Sequence, residues 1–439
     1  MNGHQLATAL VLLLALVAQA VLPRLRLLVV TTAAVATIIA SSLVGHVSAG
    51  VLFSQVPWDV LVIVVVLGLF SEFLAESRAF GVVALWAAKR SGARARPLVL
   101  TFVVAMYLVS GVVNNLTALL LVLPVLLNLL KLLGTSQRYL TWTLGAVLVA
   151  CNLGGAATPV GDFPAILLLG RGSMTFSDYL VRAAPQTMVA LAVFLGVVLV
   201  LVRPEKGLSE SPLNARLALA TMSAFHRNVR VDRGLLVPGV LALAGMVAGW
   251  LVLPAAWVGP EVIAWAGAVA LWWARPALAE LLLRKRVDVE AALFLLCLFI
   301  LVGAVRAAGT FEVAGRALEA LPMSPRGQVV VFLVSAAVLT GLFSAGPGMA
   351  ALLDVAERLA AKHPPAAIYV GLALSVCAGS SLFLTAATAG PLTQALTERA
   401  GLKVDGATGR FGFFDFAPVG VLGFSVILAV GLGFVMVAL

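Results

Sequence analysis

The residues best suited to chemistry sit where an apolar run stops behaving as one. Residues 151–164 read CNLGGAATPVGDFP, in the middle of the apolar run 139–169. Asn152, Thr158 and Asp162 supply an amide, a hydroxyl and a carboxylate there, while Gly154, Gly155 and a proline break the helix that would otherwise continue. Backbone groups freed at membrane depth are tolerated only where they line a protein-buried or watery cavity. A helix broken in this way brings two inner ends to one point, which makes an ion or substrate site. Asn114-Asn115-Leu116-Thr117 interrupts another apolar region, and residues 377–390, CAGSSLFLTAATAG, interrupt a third. Helix N-termini favour anions, whereas unwound carbonyls and carboxylates favour Na⁺ or H⁺.

Asp162 and Asp354 are the acids set deepest in apolar sequence. A charge at the bilayer centre costs about 2.5–3.5 kcal/mol on insertion scales, so both are candidates for proton coupling. Glu72 and Glu76 close an apolar run beside Arg78 and read as a helix-end ion pair. No lysine or arginine lies deep in an apolar run, so an anionic substrate would be held by helix ends, amides and hydroxyls alone. The three cysteines fall inside apolar runs without CxxC spacing and the four histidines are isolated, so neither a resident metal centre nor a cofactor is expected. The only metal the pattern invites is a transported or coupling Na⁺, at Asn115 and Asp162.

These residues need membrane-spanning elements to position them. Of 439 residues, 62% are hydrophobic and 11% charged, against roughly 25% charged in a soluble domain, and mean hydropathy is +1.10. This composition gives an all-α polytopic membrane protein whose environment is the lipid bilayer. The net charge of +10 sits in short loops as a topology signal rather than a nucleic-acid surface. About ten segments approach the ~20 apolar residues of a span. They are 6–22, 27–44, 58–75, the broken 139–169, 184–202, 235–253, 262–274, 289–305, the broken 368–392 and 419–439. Residues 97–113 and 118–133 are short arms of a re-entrant hairpin with Asn114–Thr117 at its tip. Lys89, Arg90, Arg94 and Arg96 place their loop in the cytoplasm and both termini outside. Residues 203–233 form a basic cytoplasmic linker, with 213–225 as a possible amphipathic or simply solvated stretch.

The second half repeats the first. A shift of 231 residues lays Phe80 on Phe311 and the tip 114–117 on 345–348; with five fewer residues, Cys151 falls on Cys377. Each half then holds five spans and one hairpin, with broken helices at the midplane. An odd number forces opposite orientation, so residues 1–202 and 234–439 are inverted repeats, the plan of secondary transporters. The second half contributes Ser344, Gly346, Ser380, Ser381 and Thr385 to the expected site.

NNLTALLLVLP followed by CNLGGAATPVGDFP resembles the paired signatures of the ion transporter superfamily. That group includes arsenite efflux permeases, D-type sodium/proton antiporters, the melanosomal P protein and, more distantly, divalent anion/sodium symporters. NLGGAATPVGD is similar to the GGA-T-x-x-GD segment of the antiporter and P-protein branches. The chain departs from the pattern at Phe163-Pro164-Ala165, and at Ser344-Ala345-Gly346-Pro347. The resemblance implies a site at Asn114, Asn115 and Thr117 with Gly154, Gly155, Thr158 and Asp162, facing Ser380, Ser381 and Thr385. It also implies an inner-membrane homodimer in which the hairpins and broken helices slide past a scaffold in an elevator motion.

The expectation is a secondary active transporter, not an enzyme, exchanging H⁺ or Na⁺ with a small ion. The alternative is a cation-coupled symporter of a carboxylate or inorganic oxyanion. An intramembrane enzyme using Asp162 with Asp354 is disfavoured, because the repeat lays Leu123 opposite Asp354 and no nucleophile–base pair appears.

Overall fold

The computed structural model describes residues 3–21, 25–170, 173–206, 217, 219–221, 231–253, 257–285, 289–343, 345–387, 389–404 and 407–439. Ser344 and most of the linker stretch 213–225 lie outside the described residues. Before the linker come α1 (Gly3–Val21), α2 (Arg26–Val44), α3 (Ala49–Ser54), α4 (Trp58–Ala75), α5 (Ala79–Ser91), α6 (Ala95–Ser110), α7 (Asn115–Leu133), α8 (Gln137–Ala157), α9 (Phe163–Gly170) and α10 (Phe176–Gly196). After it come α11 (Arg233–Val252), α12 (Pro260–Ala274), α13 (Pro276–Lys285), α14 (Val289–Ala307), α15 (Thr310–Glu319), α16 (Pro325–Phe343), α17 (Ala345–Ala360), α18 (Pro365–Ser380), α19 (Ala389–Ala400) and α20 (Phe413–Ala438). A two-residue antiparallel pair, β1 (Lys403–Val404) and β2 (Ala407–Thr408), joins α19 to α20.

Among the described residues, eight helices are long and apolar enough to cross a membrane, or nine if α14 and α15, bent by 66° at their junction, act together. Of the ten expected spans, those at α1 and α18 hold only shorter apolar stretches, that at α12 has 15 residues, and that at α14 counts only together with α15. The hairpin arms are unequal: α6 has 16 residues, whereas α7 has 19 and is long enough to cross. The basic loop expected after residue 75 contains a helix instead, α5, with Lys89 and Arg90 in its last turn. Cations suit the negative end of the helix dipole there. Large apolar side chains face outward, among them Trp273, Phe414 and Val437, as lipid requires of helices that are apolar all round.

Helix order recurs across the linker. α4 and α14 begin at Trp58 and Val289, and α5 and α15 at Ala79 and Thr310, each pair 231 residues apart. α8 and α18 are buried along almost their whole length. α6 packs on α8 as α16 packs on α18, and α20 runs against both buried helices. The two interrupted helices of the sequence therefore form the centre of the molecule.

Candidate functional site

The first break begins where α6 stops at Ser110 and the chain turns through Gly111–Asn114. Asn114 caps α7, its side chain accepting the Leu116 N–H at 2.9 Å, which satisfies one of the donors a helix start leaves open. The Ser110 hydroxyl lies between the Asn115 Oδ1 and the Cys151 carbonyl oxygen, 2.7 Å from the latter, and gives its proton to one of them. The Cys151 thiol donates to the Asn115 carbonyl at 3.5 Å. On the opposite flank the Thr158 hydroxyl donates to the Gly111 carbonyl at 2.7 Å. Asn115, Thr117 and Cys151 are buried, so the tip is stitched to the α8 break by polar contacts shielded from water.

Two glycines allow this approach. A Cβ on Gly154 would overlap the Tyr107 carbonyl oxygen of α6. On Gly155 it would lie 2.5 Å from the Asn115 Oδ1 and 2.9 Å from the Asp162 Cβ. α8 ends at Ala157, Thr158 is extended, and α9 starts beyond Asp162, whose carbonyl accepts the Ile166 N–H at 3.3 Å. Asp162 thus precedes a helix N-terminus, where negative charge is favoured.

A small cavity lies at this break, with room for about one water-sized group, lined by Asn152, Asp162, Tyr179, Cys377 and Ser380 among others. The Asn152 amide nitrogen donates to the Ser380 carbonyl at 3.2 Å and the Ser381 hydroxyl at 3.1 Å, bridging the ends of α8 and α18. Its Oδ1 is buried without a hydrogen-bond partner. A buried acceptor left open in this way calls for a ligand or water. Tyr179 braces the wall, its hydroxyl donating to the Ala156 carbonyl at 2.8 Å. Among the described lining residues none is basic.

The structure therefore brings Asn115, Asn152, Gly154, Gly155, Thr158, Asp162, Ser380 and Ser381 together, with Asn114 and Thr117 at the adjoining tip. Thr385 is exposed, and Gly346 is half-buried in the first turn of α17; neither lines the cavity. Asp354 on α17 is buried and forms a bidentate ion pair with Arg306 at the end of α14. Neither Arg306 nor the contacts of Ser71 and Glu72 with the tip are read from the sequence. Asn114 N–H donates to the Ser71 hydroxyl at 3.1 Å and the Thr117 hydroxyl to the Glu72 carboxylate at 3.2 Å. The one available signal was an acid placed inside a spanning helix.

The citrate transporter family (CitMHS) matches residues 9–285. An uncharacterized transporter of Mycobacterium tuberculosis is 28% identical over 359 residues, 80% of each chain. The magnetosome protein MamN of Paramagnetospirillum magneticum is 28% identical over 382 residues, 85% of this chain and 84% of that one. In fold, the chain resembles the crystal structure of the Alcanivorax borkumensis YdaH transporter, with a TM-score of 0.54 and 16% identity over 99% of this chain and 98% of that one.

Proposed function

The chain belongs to the citrate transporter family, and we propose that this multi-pass membrane transporter is secondary active, exchanging H⁺ or Na⁺ for a small ion at Asp162. It is a transporter, not an enzyme. The observation that carries the reading is the cavity between the two interrupted helices, where the Asp162 carboxylate and the open Asn152 Oδ1 share a wall that has no basic side chain among its described residues. A carboxylate and an amide oxygen on one cavity wall suit a cation or a proton. Asp162 carries the coupled charge, and Asn115 with Asp162 holds Na⁺ where Na⁺ is the coupling ion. Asp354, paired to Arg306, is the second candidate for proton coupling. No cofactor takes part.

The recurring helix order supports inverted repeats, with residues 1–202 and 234–439 as the two halves and 203–233 as a cytoplasmic linker. Both termini face outward from the inner membrane. In this reading the interrupted helices and hairpins, with Gly346 at the second hairpin tip and Thr385 at the second break, move past the other spans as an elevator within a homodimer. The antiporter-like segment 152–162 favours the efflux branch.

A second reading is favoured by the family's description: symport of a carboxylate such as citrate, or of an inorganic oxyanion, with a coupling cation. Reconstitution into proteoliposomes with a pH-sensitive dye, adding Na⁺, Li⁺, K⁺, arsenite and a dicarboxylate and citrate panel in turn, tests both. A response to Na⁺ or Li⁺ alone supports exchange, and a response requiring an organic anion replaces it with symport.

A further inference from the structure

We propose that Ser71 and Glu72 on α4 are positioning residues for transport, holding the Asn114–Thr117 tip in place until the site reorients. Two consecutive α4 residues each accept a hydrogen bond from the tip: the Asn114 N–H reaches Ser71 Oγ at 3.1 Å, and the Thr117 hydroxyl reaches Glu72 Oε1 at 3.2 Å. The tip needs both. Asn114 caps α7, so its own N–H has no place in the helix ladder, and at membrane depth a freed N–H requires a partner. Thr117 is buried, and a buried hydroxyl without a partner is costly. On its other side the same tip is bonded to the α8 break through Ser110 and Thr158. It is thus gripped between α4 and the cavity-lining segment.

The second half shows why this contact is the weaker of two equivalent ties. The 231-residue shift lays Ser71 and Glu72 on Val302 and Gly303, which carry no polar side chain. One turn further along α14, Arg306 instead makes the bidentate ion pair to Asp354 of α17. The equivalent helix pairs, α4 with α7 and α14 with α17, are therefore both tied, but by unequal bonds. A bidentate pair to a buried acid is held far more strongly than a hydroxyl on a half-buried carboxylate. The first tip is thus the more weakly held of the two.

This inference rests on the transport reading for its consequence but not for its geometry, and its test has one arm for each. A cysteine placed in the tip, Leu116→Cys, is labelled with a membrane-impermeant maleimide in the purified full-length protein, with the chain lacking that cysteine as background. Glu72→Ala is expected to raise the labelling rate about tenfold and to raise the KM of the transported ion by a similar factor. Ser71→Ala should act in the same direction. Glu72→Gln keeps an acceptor oxygen for Thr117 and should leave both readouts near those of the parent. Labelling of Glu72→Ala at the parent rate would overturn the proposal, as would Glu72→Gln failing as badly as Glu72→Ala, since the carboxylate would then act through its charge. If labelling rises while the parent moves none of the ions offered, the positioning role stands and the transport reading falls.

Discussion

Asn152 and Ser381 are 229 residues apart in sequence, yet amide nitrogen and hydroxyl oxygen lie 3.1 Å apart in the fold. With the neighbouring bond to the Ser380 carbonyl, this contact joins the end of α8 to the end of α18. The cavity at Asp162 exists because these two ends are held together. Asn152→Ala removes both bonds from a buried position and should destabilise the protein by about 1–3 kcal/mol. A lowered thermal unfolding midpoint together with loss of coupled flux is the expected result, and an unchanged midpoint would show that the bridge carries no weight.

The close approach at Gly155 makes a sharper demand. In Gly155→Ala the added methyl meets both the Asn115 amide and Asp162, so two site side chains must shift together. Flux should fall roughly tenfold or more, because small misplacements of reacting groups are expensive. Gly68→Ala in α4, where a Cβ meets nothing within 4 Å, is the control and should retain activity, since alanine is the better helix former.

Ser110 orients Asn115 against the Cys151 carbonyl. Ser110→Ala should raise the KM for the coupling cation about tenfold, equivalent to one lost hydrogen bond, while leaving maximal velocity nearly unchanged. Equal KM values in variant and parent would remove Asn115 from the cation's path.

Arg306 and Asp354 are expected to behave as a structural pair as well as a candidate coupling group. Arg306→Ala removes both bonds of a bidentate pair to a buried carboxylate and should cost about 3 kcal/mol. The double variant Arg306→Ala/Asp354→Ala should recover part of that loss in thermal unfolding. Additive losses from the two single changes would show that the pair does not act as one.

The break in α8 was readable because Gly154, Gly155, the proline and Asp162 are local backbone signals, each altering the helix where it stands. The tip was readable for the same reason at Asn114, which caps α7. What the chain order hides is distance. Glu72 stands four residues from Glu76 and six from Arg78, so sequence proximity suggests a helix-end ion pair but gives no sign of its contact with Thr117, 45 residues away. The role of Arg306 is hidden for the same reason, its partner being 48 residues on. α5 was missed because it is too short to span and carries its basic residues at one end, which resembles a loop to any search for 20-residue apolar runs. In the second half the serines of CAGSS fall at the site, whereas Thr385 is turned outward, a difference of orientation that spacing within a non-helical turn does not encode.

Coupled transport depends on the Asp162 carboxylate. Purified protein carrying Asp162→Asn, an isosteric change that removes the charge at the cavity wall, should be compared with the parent in proteoliposomes under an imposed pH or Na⁺ gradient. Loss of gradient-driven flux, with the thermal unfolding midpoint within a few degrees of the parent's, is the predicted result. Undiminished coupled flux in the variant would contradict the central claim.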